Sequence, residues 1–332
     1  MNINKNMTLY LKGIAILLML FHHLFAFPER MPDAVFFDIS WIEQKIAEFG
    51  KICVYMFLFL SGYGFSKSKY PNYKKMLNKL WRFYLLFWLV FLPTALYFHL
   101  NEIYTLESTK LILLNVLGIR SDIISEWWFI EPYAILILLV PLVAKLKNSP
   151  LLLLLLSALG FVLALVLIRF DVDTNEIAVA LTLLIQPAFI AGYLIGLPQI
   201  TKLMALPYVK RITLVASFAG LPLLVLYNHD SIFLIPFVSF FIYLLILLER
   251  ILPTQSVKCI AYCGQHSTFM WLTHSIYCYH LVPELIYAFD NKFLIFILLV
   301  AISLLTSIVL SAIYSQLNNM ASLVAGKKVV SS

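Results

Sequence analysis

The chain has 332 residues and a formal net charge of +7; 62% of its residues are hydrophobic and only 12% are charged. Its mean hydropathy of +0.92 is far from the balance found in soluble globular domains. This composition excludes a soluble enzyme, and we expect no nucleic acid among the partners. It predicts an all-α protein that crosses a membrane several times.

The first long apolar run, Thr8–Pro28, carries Lys12 near its start and His22 and His23 near its end. A polar side chain in hydrocarbon costs several kcal/mol unless a partner satisfies it, so ionisable groups inside a membrane are functional candidates. On a helix that rises about 1.5 Å per residue, Lys12 and His23 lie roughly 16 Å apart, about half the thickness of the hydrocarbon. The run therefore predicts one charged group at a membrane face and one imidazole deep inside.

Further apolar runs along the chain bring the number of predicted transmembrane helices to about ten. They cover residues 8–27, 50–66, 80–98, 127–145, 150–169, 177–197, 211–227, 231–249, 267–288 and 293–317. With the amino terminus in the cytoplasm, most of the 24 Lys and Arg residues fall on the cytoplasmic side, in agreement with the positive-inside rule. Both termini are therefore expected to be cytoplasmic. Since the loops are short, we expect one transmembrane domain over residues 1–332 without an appended soluble domain.

The segment between the first two predicted spans leaves two interpretations open. Residues 33–49, DAVFFDISWIEQKIAEF, suit a helix at the membrane interface with Phe36, Trp41 and Ile42 toward lipid. An ordinary packing loop or lid fits the same residues equally well.

The cysteines indicate neither a disulfide framework nor a zinc site. The four are Cys53, Cys259, Cys263 and Cys278, most of them in or beside apolar runs. Their spacing fits neither paired bridges nor four-ligand zinc coordination. We expect them to act as small apolar residues, and we expect no metal.

A basic loop follows the second predicted helix. The stretch KSKYPNYKKMLNKLWRF carries several Lys and Arg residues and no acidic residue. Contact with anionic lipid headgroups explains most of these charges. Lys79 and Arg82, however, are three residues apart on a helix that enters the membrane, so they share one face at its boundary. Together with Lys12 they predict a cationic mouth for a ligand that carries phosphate.

Several motifs, in this order, resemble those of the acyltransferase-3 family of integral membrane acyltransferases. In the first helix, LKGIAILLMLFHH, ten residues separate a basic residue from a histidine, at Lys12 and His23. The second helix, GKICVYMFLFLSGYGF, contains the family's Ser-Gly pair at positions 61–62, and the basic pair Lys79 and Arg82 follows in the loop.

Two later segments extend the resemblance over nearly the whole chain. EWWFIEPYAI is similar to the Trp-Phe start of the family's fourth helix, and CGQHSTFMWLTHSIY resembles a late segment with Gly264, Ser267 and His274. The family usually has arginine where lysine stands at positions 12 and 79, and lysine lacks the bidentate fork that grips phosphate. The Glu-Glu pattern of some members is also absent, which leaves Glu126 and Glu131.

The resemblance implies transfer of an acyl group, commonly acetyl from cytoplasmic acetyl-CoA, to a hydroxyl of a cell-surface polysaccharide or its lipid-linked precursor at a bacterial plasma membrane. A sugar hydroxyl needs a positioned base, and histidine titrates in the useful range. We therefore predict that His23 is the catalytic base and that Glu131, at a similar depth, orients it. The other predicted contacts are Lys12, Lys79 and Arg82 to acyl-CoA, and His22, Trp128 and His274 to substrate.

Structural roles stay open for the last three residues. His22 points about 100° away from its neighbour around the helix, which suits packing or support. His274 is as well suited to a hydrogen bond with Ser267 or Ser275 as to a substrate contact. Trp128 also fits an aromatic belt at the membrane interface.

A transporter or flippase for an envelope glycan or lipid intermediate is the alternative from another functional class, because a few charges among apolar helices also suit transport. The lack of an obvious inverted repeat or of paired broken helices weakens that interpretation. An acyltransferase for lipid A or peptidoglycan would differ only in its acceptor. The sequence leaves open the acceptor, the acyl chain, direct transfer or a covalent relay, and the oligomeric state.

Overall fold

The computed structural model describes residues 3–31, 39–104, 108–170, 178–227 and 232–324, and in this part of the chain helices dominate and no β-strand occurs. The α-helices are α1 (Lys5–Phe25), α2 (Trp41–Phe49), α3 (Ile52–Ser66), α4 (Tyr73–Leu100), α5 (Thr109–Val116), α6 (Ile130–Lys145), α7 (Pro150–Arg169), α8 (Ala178–Gly196), α9 (Pro198–Met204), α10 (Pro207–Tyr227), α11 (Leu234–Glu249), α12 (Thr254–Ser275), α13 (Pro283–Ile286) and α14 (Lys292–Val324). Short 3₁₀ turns cover Pro28–Arg30 and Ser125–Phe129, and a π-helical turn, Ile276–Leu281, continues α12. The prediction of an all-α fold is confirmed.

Eight helical segments of the described chain are long and apolar enough to cross a membrane, so the protein is a polytopic membrane protein. They are Lys5–Phe25, Trp41–Ser66, Tyr73–Leu100, Ser125–Lys145, Pro150–Arg169, Val179–Gly196, Pro207–Tyr227 and Lys292–Met320. Every predicted span overlaps a helix, although α11 has only 16 residues and α12 does not reach the hydropathy of the eight. Ten crossings with both termini in the cytoplasm stay a prediction.

The ninth predicted span, residues 267–288, does not match its helix. α12 begins at Thr254 and ends at Ser275, before the π-helical turn. It packs between α1 and α14 and buries polar side chains such as Ser267 and His274. The first residues of α12, such as Thr254, Gln255 and Lys258, are polar and exposed, so hydropathy places the start of this helix too late.

Two pairs of helices cross in close contact at glycines. A Cβ at Gly13 of α1 would collide with the carbonyl of Ile260, and one at Gly264 of α12 would collide with the carbonyl of Leu9. The second pair, α3 and α8, meets in the same way at Gly62 of α3. Small residues let membrane helices approach until their backbones touch. The first crossing holds α1, which carries Lys12 and His23, directly against α12.

The peripheral helices α7 and α10 present apolar side chains outward. Leu151 and Leu159 of α7 are 67% and 66% exposed, and Val215 of α10 is 68% exposed. An apolar surface of this kind is unfavourable in water but suits contact with lipid. The outer surface therefore agrees with the membrane location that the composition predicts.

The helix α2 occupies part of the segment for which the sequence left two interpretations open. It begins with a capping box, in which Glu43 Oε2 accepts from the Ser40 backbone N–H at 2.8 Å while Ser40 Oγ accepts from the Glu43 N–H at 3.4 Å. Of the side chains predicted to face lipid, Trp41 and Ile42 are exposed, and Phe36 lies outside the described residues. The structure thus favours the helix over the loop, while its contact with lipid stays a prediction.

Candidate active site

Two cavities meet beside His23 in the interior of the bundle. The first, called here the lysine cavity, has a volume of about 380 Å³, and Lys12 and Lys79 lie in its wall. The second, the arginine cavity, has a volume of about 870 Å³, and Arg30 and Arg120 lie in its wall. The described residues that line both cavities are Met19, His23, Val54, Glu126 and Trp128. The predicted catalytic base therefore faces both cavities.

The helix α1 contributes both Lys12 and His23 to the wall of the lysine cavity. It begins at a cap in which the Asn4 side chain accepts from the Met7 backbone N–H at 2.8 Å. Lys12 and His23 are about three turns apart on it, and both line the lysine cavity. The helix ends at Phe25, so His23 lies in its last turn, where backbone carbonyls lack partners within the helix.

The ring of His23 is held by a tyrosine and lies among other histidines. Tyr279 Oη lies 3.3 Å from His23 Nδ1 and donates to the backbone oxygen of His23 at 2.5 Å. The His274 and His22 rings lie with their centroids 4.8 Å and 5.1 Å from that of His23. The π-helical turn after α12 carries Tyr279, and such turns are frequent at functional sites.

Glu126 brings a buried carboxylate to the junction of the two cavities. The turn that carries it is anchored by Trp127, whose indole N–H donates to the Leu272 oxygen of α12 at 3.1 Å. Glu126 Oε1 accepts from Arg30 Nη1 at 3.1 Å and from Ser125 Oγ at 3.0 Å. Its Oε2 is buried without a hydrogen-bond partner among the described residues. A buried acceptor without a donor is costly, which makes this oxygen a candidate contact for a ligand or a water molecule.

Glu131, the carboxylate predicted to orient His23, lies in the wall of the arginine cavity. Within the described chain its carboxylate forms no hydrogen bond with His23, whose Nδ1 contacts Tyr279 instead. In the same segment, the carboxylate that lines both cavities is that of Glu126. A role for Glu131 in orienting the imidazole stays a prediction that this geometry does not support.

The three predicted acyl-CoA contacts separate into two groups. Lys12 and Lys79 lie in the wall of the lysine cavity, and Lys79 Nζ is 4.3 Å from the centroid of the Phe65 ring. Arg82 is exposed on α4 and is not part of that wall. A residue three positions further along a helix is turned by about 60° relative to the first, which is enough to leave a narrow opening. Of the three residues predicted to form the cationic mouth, only the two lysines line this cavity, and their contact with acyl-CoA stays a prediction.

The predicted substrate contacts occupy three different settings. Trp128 lines both cavities. His22 is buried and lines the arginine cavity, and its Nδ1 lies 2.8 Å from the Ala47 oxygen, which links α1 to α2. His274 is fully buried, lines neither cavity, and bonds through Nδ1 to the Trp271 oxygen at 2.7 Å and to neither predicted serine. This position suits a supporting role, and direct substrate contact by His274 stays a prediction.

A compact polar cluster forms part of the wall of the arginine cavity. Arg120 Nη2 lies 2.9 Å from Asp122 Oδ1, and Asn115 Nδ2 donates to Asp122 Oδ2 at 2.7 Å. Burial raises the pKa of Asp122, but the hydrogen bonds from Arg120 and Asn115 outweigh burial and hold the pKa below its usual value. Asp122 is therefore ionised at neutral pH and fixes the loop that leads to Glu126.

Sequence reasoning missed Arg30 and Tyr279. The Arg30 guanidinium lies 4.6 Å from the centroid of the Phe27 ring and 5.5 Å from that of Tyr279, and it pairs with Glu126. A signal was present for the ion pair, since Arg30 and Glu126 are opposite charges directly beside predicted membrane spans. Tyr279 lies in an aromatic stretch that is equally typical of a membrane-interface belt, so its contact with His23 had no signal in the sequence.

The residues that line the two cavities lie in a region of the chain that matches a known protein family. A family described as an acyltransferase domain matches residues 10–314, a range that contains Lys12, His23, Lys79, Glu126 and Tyr279. Neither a curated protein nor a solved structure matches the chain. Since the match covers nearly the whole chain and the fold is a bundle of membrane-spanning length, the chain belongs to the acyltransferase-3 family and is an integral membrane acyltransferase.

Proposed function

We propose that the protein is an O-acyltransferase that moves acetyl, or another short acyl group, from acetyl-CoA to a hydroxyl of a cell-surface polysaccharide or its lipid-linked precursor. The observation that carries the proposal is that His23 and Glu126 line two cavities that differ in size and charge. Transfer between a donor and an acceptor that approach from different sides needs a base that both can reach. His23 is in that position.

The lysine cavity suits the acyl donor. Lys12 and Lys79 supply two positive charges, and Glu126, the acid in the wall, lies at the junction and is already paired with Arg30. Ammonium groups bind phosphate as point charges, which fits the phosphates of coenzyme A. A volume of about 380 Å³ is typical of a small-molecule pocket and favours a short acyl group.

The arginine cavity suits the acceptor. Its volume of about 870 Å³ is larger, and the described wall mixes charged residues such as Arg120 and Asp122 with the indole of Trp128. Sugars are bound by polar groups that pair with their hydroxyls and by aromatic faces that cover their apolar faces. The predicted topology places this cavity toward the outer side of a bacterial plasma membrane, where envelope glycans are exposed.

His23 acts as general base in this proposal. In direct transfer, its imidazole takes the proton of the acceptor hydroxyl while the hydroxyl oxygen forms a bond to the thioester carbonyl carbon. The carbon–sulfur bond then breaks, and the imidazolium gives the proton to the departing sulfur. The Glu126 carboxylate, which lines both cavities together with His23, stabilises the imidazolium between these steps.

The test compares wild-type protein with His23→Ala in membranes supplied with ¹⁴C-acetyl-CoA, and it measures label in the envelope glycan fraction. Loss of a general base is expected to reduce transfer by about 10²-fold or more. The matched control is His99→Ala, which removes an exposed histidine at the end of α4. Equal expression and gel-filtration profiles show that both variants fold and insert.

Two results would contradict the proposal. One is a His23→Ala protein that transfers acetyl at the wild-type rate. The other is wild-type protein that moves a glycan or lipid intermediate across vesicles without acylating it, which would favour the transporter. Label recovered in lipid A or peptidoglycan would support acyl transfer but show that the acceptor differs from the one proposed.

A further inference from the structure

Two tyrosine hydroxyls cap carbonyl groups in the last turn of α1. The last carbonyls of a helix have no partner within it and need donors from elsewhere. Tyr279 donates to the oxygen of His23 at 2.5 Å, and Tyr287 donates to the oxygen of Leu24 at 3.2 Å. Both tyrosines therefore have the same structural role at neighbouring positions, which provides a matched comparison.

Tyr279 differs from Tyr287 because it also contacts an imidazole. Its hydroxyl oxygen lies 3.3 Å from His23 Nδ1. A tyrosine hydroxyl has one proton, and a carbonyl oxygen can only accept, so the bond to the His23 carbonyl uses that proton. Toward Nδ1 the same oxygen can then act only as an acceptor. The hydrogen bond forms when His23 Nδ1 carries the hydrogen.

We propose that Tyr279 is a positioning residue that fixes His23 in the tautomer protonated at Nδ1 and leaves Nε2 unprotonated. The inference deepens the proposed function, because it matters for catalysis only where His23 is the base. An imidazole with the opposite tautomer would present an N–H to the acceptor hydroxyl and would not take its proton. In hydrolytic triads a carboxylate has this task, whereas here a hydroxyl does, with its own proton fixed by a backbone carbonyl.

The other polar groups around His23 do not compete with Tyr279 for His23 Nδ1. The Arg30 guanidinium lies 5.5 Å from the centroid of the Tyr279 ring and donates to Glu126. The nearest histidine ring, that of His274, uses its own Nδ1 on the Trp271 oxygen. In the described chain, Tyr279 is thus the hydrogen-bond partner of the His23 ring.

The decisive experiment measures the tautomer. The protein is labelled with ¹⁵N-histidine, purified and reconstituted, and the His23 signals are assigned by their loss in His23→Ala. In the wild type, at a pH where His23 is neutral, we expect a protonated Nδ1 and an unprotonated Nε2. Tyr279→Phe is expected to shift His23 to a mixture of tautomers, and Tyr287→Phe is expected to leave it unchanged. Wild-type His23 protonated at Nε2, or a Tyr279→Phe spectrum identical to the wild type, would overturn the inference.

The kinetic experiment uses ¹⁴C-acetyl-CoA with envelope membranes as the acceptor source. Tyr279→Phe is expected to lower kcat by about tenfold or more with an unchanged KM for acetyl-CoA, whereas Tyr287→Phe stays within about twofold of wild type. Equal losses in both variants would indicate helix capping alone and would overturn the inference. If the wild type itself transfers no label, the proposed function fails, and the tautomer spectrum still decides whether Tyr279 fixes His23.

Discussion

Replacing Gly264 with alanine should force α1 and α12 apart. An added Cβ would lie 2.7 Å from the Gly13 backbone nitrogen and closer still to the Leu9 carbonyl oxygen, whereas carbon contacts ordinarily lie at about 3.5–4.0 Å. Both obstacles are backbone atoms, so the helices must separate by about 1 Å. Overpacking of this kind costs up to about 3 kcal/mol, and the higher helix propensity of alanine offsets about 1 kcal/mol. We expect Gly264→Ala to lower the free energy of unfolding by about 2 kcal/mol.

The assay is reversible unfolding of the purified protein in mixed micelles of increasing SDS content, followed by helical circular dichroism. The matched control is Gly64→Ala in α3, where an added Cβ meets nothing within 4 Å. That substitution gains helix propensity without a collision, so we expect it to stabilise the protein by up to about 1 kcal/mol. If Gly264→Ala unfolds at the same SDS content as Gly64→Ala, the close crossing of α1 and α12 is refuted.

Two further predictions concern the cavity walls. Glu126→Gln should reduce acetyl transfer about tenfold, the effect of losing roughly 1.5 kcal/mol of charge stabilisation at the junction, while Glu131→Gln should reduce it less. A larger loss in Glu131→Gln, measured as initial rates, would restore Glu131 as the orienting carboxylate. Lys79→Ala should raise the KM for acetyl-CoA about tenfold by removing a phosphate contact, while Arg82→Ala should raise it less because that side chain lies outside the wall. Equal KM increases would show that the loop charges act together.

Hydropathy predicts the helices of this fold well where they are apolar along their length and poorly where part of a helix is polar. The leucine-rich α7 was located at residues 150–169 because its surface is apolar nearly all round. The span predicted at residues 267–288 starts too late for α12, because the first half of that helix carries polar residues such as Gln255 and Lys258, which lower its hydropathy. A hydropathy pattern therefore finds the apolar part of a helix and misses its polar extension.

The sequence predicts the relative positions of candidate site residues only where those residues lie on the same helix. Lys12 and His23 lie on α1, so their common face and separation follow from helix geometry alone. The contact between Tyr279 and His23 joins residues 256 positions apart, and the ion pair between Arg30 and Glu126 joins two separate turns. Contacts of this kind depend on which helices become neighbours, which no local pattern in one sequence encodes.

The narrow junction of the two cavities has a consequence for the bilayer itself. Only a few side chains, with His23, Glu126 and Trp128 among them, separate the lysine cavity from the arginine cavity. If the cavities open to opposite faces, as the charge distribution predicts, and bind the proposed donor and acceptor, neither acetyl-CoA nor the glycan has to cross this partition for the acyl group to reach the glycan. Only the acyl group passes. In the proposed reaction, the membrane can then stay closed to ions during every turnover, and the modified acceptor leaves on the side from which it came.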